Sequence, residues 1–490
     1  MYSPLKKINL GQFEDQTDIG PVKRPGTCDY EVAEQVYSIA VAGANIRGEQ
    51  EACHFVWKRI NGNFIVTMRA EFNGAGNHPQ RKLGWMARSS LVDNAPHVST
   101  AIHGDGLAAL QFWRNAGEIT EEDRAAVTGA DVIQLERKGN SYSMSVARYG
   151  ETFEVVQISE IELGEDVFVG LFVCAHEEDS IEQATIQDVR IVKPVKEGFE
   201  RGRDPFGSHL EVLDVPRGQR RIIFSAENVF EAPNWTRDGK ALIFNKNGKL
   251  YRFDLAAGKP TLINTGEVVK NNNDHVLSFD GNRLAISSHS GADGLSRVYT
   301  VPVRGGQPKL ITPKGPSYLH GWSPDGKFLV FTGQRNGQYD IYRIPVEGGE
   351  EEQLTNTPGL DDGPEYTPDG RYIYFNSLRS GGMQIWRMRS DGSRPEQLTD
   401  DEYNNWFPHI SPDGKWVVFI SYLVGEVEPS DHPAAKRVYL RMIPLDRGTL
   451  TLDGGKPKVL AYLYGGQGTM NVPSWSPDGR QLAFVSYTVP

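Results

Sequence analysis

The sequence predicts an all-β chain in two parts, a β-sandwich followed by a six-bladed β-propeller. Three observations predict it. A turn motif, an apolar residue followed by Ser or Thr, X, Asp and Gly, recurs six times in the second half. The first half holds short alternating apolar and polar runs between Gly, Asn and Pro turns, with no repeat. Only residues 119–126 read as helical.

Composition narrows the function classes. A formal charge of −11 without a basic cluster excludes the electrostatic footprint that nucleic acid requires. No apolar run is long enough for a membrane span. Residues 1–13 carry Lys6 and Lys7 with no apolar stretch after them, so no secretory signal is visible. The expected home is cytoplasmic as the chain is given, or periplasmic if a signal has been removed. Cys28, Cys53 and Cys174 are odd in number and unpaired in spacing, as expected of buried or free thiols in a reducing compartment.

The first domain is expected over 1–196. Strands are predicted at 35–41, 54–59, 64–72, 83–88, 98–103, 108–113, 132–137, 142–147, 167–174 and 186–191, enough for two packed sheets. Two stretches, His54-Phe55-Val56-Trp57-Lys58 and Leu83-Gly84-Trp85-Met86-Ala87-Arg88, resemble the concanavalin-like jelly-roll domains. The run from Val169 to His176 and then Ala184 to Val189 is similar to their last two strands. The resemblance implies a concave face that binds or cuts glycans. A Glu-x-Asp-x-x-Glu spacing, the paired-carboxylate pattern of glucanases of that fold, occurs at Glu177-Glu178-Asp179-Ser180-Ile181-Glu182. It falls in a polar connection where period-two alternation does not hold the carboxylates on one face, and reads as a solvated turn. Arg88, His103, Gln111 and Trp113 lie on consecutive predicted strands. They suit a polar and aromatic sugar platform, or else Trp113 fills core and the others are satisfied polar groups.

Residues 197–208 are charged and Gly-rich and read as a linker. The propeller is expected over 209–490. Its turn Asp recurs at 238, 280, 325, 369, 413 and 478, with steps of 42, 45, 44, 44 and 65 residues, near the period of about 40–45 for a blade. The clearest copy is Trp322-Ser323-Pro324-Asp325-Gly326, with Pro and Gly at their type I turn positions. Third strands are expected at 251–255, 298–303, 341–346, 385–389 and 438–443, and short fourth strands end at 263, 311, 354, 398 and 460. Segments 210–213 and 221–224 read as a third and fourth strand lacking a first and second, and 485–490 ends the chain after a second. Pairing these ends closes six blades and leaves no free edge.

These repeats, with Trp406-Phe407-Pro408-His409-Ile410-Ser411-Pro412-Asp413-Gly414-Lys415 and the run Gly465 to Asp478, resemble the WD-like hairpin repeats of TolB-type six-bladed propellers. Phe279, standing where Pro is usual, marks the second blade as divergent. With the sandwich in front, the whole chain resembles a bacterial family of TolB-related two-domain proteins. That resemblance implies a periplasmic protein and no settled activity.

First strands line a propeller channel, so the residues just before each turn motif are candidates: Asn234, His275, His320, Glu365, His409 and Ser474. Histidines with a carboxylate suit a divalent metal. Oligogalacturonate lyases, whose propellers are similar in this hairpin, imply a channel metal held by histidines, here His275, His320 and His409. Alternation opposes the grouping, because His275 and His320 sit two positions before the motif and His409 one; the other reading is three separately satisfied polar residues. The fifth blade has extra length at 424–436 and 446–456. If 424–436 folds over the mouth, His432 joins His409, Gln467 and Asn471 around a ligand; otherwise it is a solvated decoration or a dimer contact. His409, His432 and Glu365 are the catalytic candidates. Arg335 and Arg379, equivalent in adjacent blades, either present guanidinium forks to a uronate carboxylate or make inter-blade ion pairs. No phosphate-binding loop, dinucleotide fingerprint or nucleophile elbow is present.

The expected function is a carbohydrate-directed binding protein for a glycan or oligosaccharide, extended to lyase or hydrolase chemistry at the channel mouth with a divalent metal. The alternative is a non-catalytic scaffold that captures a protein or peptide on the propeller face.

Overall fold

The computed structural model describes residues 9–42, 51–76, 78–445 and 457–490. The chain divides into two compact units, Met1–Pro194 and Val195–Pro490. Among the described residues no helix is long and apolar enough to cross a membrane.

The first unit holds two antiparallel seven-stranded sheets. One runs, in spatial order, Asp15–Ile19, Cys53–Asn61, Asp166–Cys174, Lys82–Arg88, His97–His103, Ala108–Trp113 and Glu121–Arg124. The other runs Glu154–Ile158, Ser141–Ala147, Val132–Lys138, Phe64–Phe72, Glu182–Val192, Val36–Ala42 and Arg24–Glu31. Alternate residues of both enter one core, among them Val56, Trp85, Leu110, Val66, Ile133 and Ile186. The Trp85 indole N–H donates to the Ile133 carbonyl across it, at 3.3 Å. The segment at 119–126, expected to be helical, is an edge strand over Glu121–Arg124. Its Glu-Glu-Asp-Arg sequence favours a helix locally, but the open edge of Ala108–Trp113 supplies backbone partners. The strands Asp15–Ile19 and Arg24–Glu31 have too few apolar residues to show a period, and in Glu154–Ile158 the adjacent Val155 and Val156 break the alternation; none of the three was foreseen.

Five four-stranded sheets and one closing sheet make the second unit. The blades begin with inner strands Glu231–Trp235, Asn271–Leu277, Ser317–Trp322, Asp361–Tyr366 and Asn404–Ile410. Each is followed by its hairpin partner, the first being Ala241–Lys246. Inside every turn one hydroxyl and one carboxylate repeat the same bonds. Ser323 Oγ donates to Asp325 Oδ1 at 2.6 Å, and that oxygen accepts the Lys327 amide at 3.1 Å. Gly326 sits at φ +70°, which explains the glycine. The closing sheet joins Gln219–Ala226 and Gly207–Asp214 to Gln481–Thr488, with a Trp475–Leu482 bridge supplying the innermost position. Six blades therefore close by pairing the two ends of this unit. The expected linker, 197–208, overlaps the closing strand, which begins at Gly207, and Phe206 stacks on Tyr487 at 4.8 Å.

Candidate functional site at the channel entry

Every inner strand of the five complete blades contains a register shift. The shifts fall between Glu231 and Asn234, Asn271 and His275, Leu319 and Gly321, Asp362 and Glu365, and Trp406 and His409. Ala232, Gly363 and Phe407 take φ values of 56°, 63° and 56° at three of them. A bulge puts an extra residue in the strand and resets which face each later side chain takes. Each inner strand thus divides into an entry half and a turn half.

At the entry half four blades contribute ionisable groups: Glu231, Asp274, His320 and Asp362. All are at least nine-tenths buried. His320 Nε2 stands 3.2 Å from Asp362 Oδ1. Asp362 also accepts the Thr332 hydroxyl at 2.7 Å and the Gly363 amide at 2.8 Å. Burial opposes the charge of Asp362, yet the His320 bond, the His320 and His432 charges and the Thr332 hydroxyl overcome it and hold its pKa at about 2. Burial likewise opposes an imidazolium at His320; Asp362, Asp274 and the Asn471 carbonyl outweigh it and raise its pKa above the ordinary value. Asp274 goes the other way. Burial, with the Asp362 and Glu231 charges, pushes it up to about 7 against the pull of His320 and the Asn272 side chain. Glu231 is raised by burial and countered by Arg201, whose guanidinium lies 2.5 Å away.

The fifth-blade insertion reaches this cluster. His432 Nε2 is 3.8 Å from Asp362 Oδ2, and its ring meets Trp406 and Phe407 edge to face at centroid distances of 4.3 and 5.4 Å. His320 lies nearly parallel to Phe407 at 6.2 Å. The second extra stretch, 446–456, lies outside the described residues.

The expected grouping of His275, His320 and His409 does not form. His275 points between the first two blades, with Nε2 3.1 Å from the Ile243 carbonyl, and burial lowers its pKa to about 4. His409 occupies the turn half, with Nδ1 2.5 Å from Glu365 Oε2 and Nε2 donating to the Met470 carbonyl at 3.0 Å. Glu365 Oε1 accepts the Ile410 amide at 3.2 Å, as Asn234 Oδ1 accepts that of Leu277 at 3.0 Å. His409 and Glu365 thus fasten neighbouring blades. Ser474 donates to the Val472 carbonyl at 2.7 Å. Among the described residues no three His, Cys, Asp or Glu side chains are placed to hold a metal ion. The donor set does not fit the metal that the lyase resemblance implied.

Arg335 is held by both oxygens of Glu351 at 2.8 and 3.0 Å and lies over Tyr342. Arg379 donates to Asp361 at 2.8 Å and lies over Trp386. Both forks are occupied inside blades and do not face a ligand. Gln467 accepts the Asn471 amide at 3.0 Å; of this pair it is the Asn471 backbone that meets the cluster, at His320 rather than His409.

In the sandwich, Arg88 is fully buried against Glu51 at 2.7 Å and donates to the Ser90 and Val92 carbonyls. Trp113 is also fully buried, its indole N–H donating to Thr120 at 2.8 Å. Gln111 donates to Glu122 at 3.0 Å, and burial with the Lys82 charge lowers the His103 pKa to about 4. These four side chains are placed as packed, bonded groups, not as an open platform. The acidic run behaves as a solvated turn through Glu177, Glu178 and Asp179, whereas Glu182 begins a strand and is buried against Arg81 at 2.6 Å.

A family model described as the TolB beta propeller domain matches residues 317–428. An uncharacterized protein of Agrobacterium fabrum is 46% identical over 281 residues, which is 57% of this chain and 92% of that protein. A solved Agrobacterium tumefaciens protein named for TolB has 46% identity and a TM-score of 0.54, covering 58% of this chain and 98% of that one. The chain belongs to this TolB-type β-propeller family. A TolB structure from Acinetobacter baumannii has 16% identity and a TM-score of 0.38, over 72% of this chain and 78% of its own.

Within this TolB-type propeller the cluster-forming carboxylates Glu231, Asp274 and Asp362 escaped sequence reasoning. Glu231 and Asp362 precede the bulge and Asp274 lies within it, three or four residues before the turn motif, so counting back by one or two misses them. The one usable signal was a recurrent acid at that distance in blades one, two and four.

Proposed function

We propose that the protein binds a saccharide at the entry end of the propeller channel, where Asp274 and Asp362 provide acid–base capacity for lyase or hydrolase chemistry. One observation carries the reading: two buried carboxylates share one cluster with His320, one kept ionised and one holding its proton to about pH 7. Carboxylates driven apart in this way are the usual division between an acid and a charge-stabilising base. The ionised Asp362 accepts sugar hydroxyls, Asp274 donates to or accepts from a ring or glycosidic oxygen, and Phe407 with His432 offers apolar ring surface. We read the two seven-stranded sheets of the first unit as a concanavalin-like jelly roll that binds glycan by itself. The test is a glycan array on the whole chain, followed by calorimetry on His432→Ala and Asp362→Asn. Saccharide binding that weakens about tenfold or more in His432→Ala, a partly exposed position, with the melting temperature unchanged, supports the reading. An array without a bound glycan, or binding indifferent to both substitutions, overturns it.

A further inference from the structure

We infer that residues 470–473 form a strap across the propeller channel, latched to other blades by His320 and His409, and that loss of a ring proton at His320 releases it. The strap is a loop in the innermost position of the sixth blade. Thr469 and Ser474 stay bonded to that blade, their carbonyls accepting the Val485 and Ala483 amides at 3.0 and 2.9 Å. Those amides are only two positions apart on Gln481–Thr488, so the residues between Thr469 and Ser474 leave the sheet. Other blades take their carbonyls. His409 Nε2, of the fifth, donates to Met470 at 3.0 Å, Asn234 Nδ2, of the first, to Pro473 at 2.6 Å, and His320, of the third, to Asn471. In a ring of six the third blade stands across from the sixth, so the His320–Asn471 bond spans the channel. Side chains fill the space around it. Val472 shares a packed cluster with Ala232, Val276 and Leu319, and Met470 one with Trp406 and Phe407; both are fully buried.

Both histidines are shared between the strap and a carboxylate of the fourth blade. His320 meets Asp362 at 3.2 Å besides Asn471, and His409 meets Glu365 at 2.5 Å besides Met470. A neutral imidazole has one N–H and cannot donate to a carboxylate and a carbonyl together; an imidazolium can. When His320 loses a proton, the remaining one stays with Asp362, the stronger acceptor, and a bare lone pair is turned on the strap carbonyl. The groups facing His320 set the pH of release. Burial opposes its charge, while Asp362, Asp274 and the Asn471 carbonyl outweigh it and raise the pKa above 6.5. His432 competes for Asp362 at 3.8 Å, the Tyr318 phenol stands near both carboxylates, and the Phe407 ring lies alongside at 6.2 Å. Behind His409, Glu365 is also faced by Arg237. Because the folded pKa of His320 is raised, the latch is fully held below the ordinary value and lost as pH rises through the raised one.

The experiment measures how fast hydrogen peroxide converts Met470 to its sulfoxide in the whole chain at pH 6 and pH 9, read by peptide mass spectrometry. Met388 of the fourth blade and Met144 of the first unit, both fully buried, are the references. Relative to them, Met470 is expected to react at least about tenfold faster at pH 9 than at pH 6. His320→Gln, which cannot carry the second proton, is expected to react at pH 6 as fast as the wild type does at pH 9. Equal protection of Met470 at both pH values overturns the inference. A rise shared by Met388 and Met144 overturns it too, since it reports loosening of the whole chain. His320→Gln with Met470 as protected at pH 6 as in the wild type overturns the latch. Should that variant fail to fold, the wild-type ratio between the two pH values decides alone.

Discussion

Asp274 and Asp362 are the same residue type in one cluster, and their neighbours give them opposite pH behaviour. Asp274 has its folded pKa raised from 3.8 to about 7, so it contributes stability at low pH that is lost as pH rises through that window. Asp274→Asn therefore gains on the wild type by about 1.4 kcal/mol per pH unit from pH 5 to about 7, then levels off; paired melting curves at pH 5, 6, 7 and 8 check this. Asp362 has its folded pKa depressed to about 2, so its contribution is present above the ordinary value of 3.8 and disappears as pH falls toward 2. Removing it also leaves His320, Thr332 Oγ and the Gly363 amide without their common acceptor. Asp362→Ala is expected to cost about 3–5 kcal/mol at pH 7, and an Asp362→Asn, His320→Gln double variant distinctly less, measured by urea unfolding. If the double variant costs more than Asp362→Ala, the two side chains are not acting as a pair.

At the scale of the element, the hairpin was legible because its chemistry is local. Ser323, Asp325 and Gly326 satisfy one another within five residues, and the same bonds recur at Thr236–Asp238, Ser278–Asp280, Thr367–Asp369, Ser411–Asp413 and Ser476–Asp478. Even Phe279, outside the usual pattern, leaves the Ser278–Asp280 bond intact. The bulge was not legible, because its position depends on how an inner strand meets its neighbour and not on a residue type: Ala232, Gly363 and Phe407 share only their positive φ. That is why taking the residues just before each turn motif put His320 and His409 in one candidate group, against strict alternation, and passed over Asp274 and Asp362. The sandwich shows the same divide, with apolar strands such as Phe64–Phe72 visible and the polar edge Glu121–Arg124 mistaken for a helix. Because the hairpin device is local, Asp325→Ala is expected to lose about 1–2 kcal/mol and to leave ligand affinity at the channel entry unchanged. Thermal melting and calorimetry on the same sample check both halves.

For the propeller as a whole, the decisive contact is the one between its ends. Gly207–Asp214 pairs along its full length with Gln481–Thr488, and Ser486 donates to Glu211 across more than 270 residues of chain at 2.5 Å. Tyr487 is fully buried there, stacks on Phe206 and donates to the Gln467 carbonyl at 2.8 Å. Gln467 and Asn471 belong to the turn that also presents a carbonyl to His320, so closure and the entry cluster share one segment. Closing a loop of this length costs entropy that only a complete pairing offsets, and an unclosed sheet presents bare edges. Tyr487→Ala is expected to cost about 3–5 kcal/mol and to do so non-locally. Hydrogen exchange should quicken at the entry cluster in Asn271–Leu277 and Ser317–Trp322 as well as in the closing strands. If exchange quickens only at Gly207–Asp214 and Gln481–Thr488, the blades are independent units, and the entry site does not depend on the ring being shut.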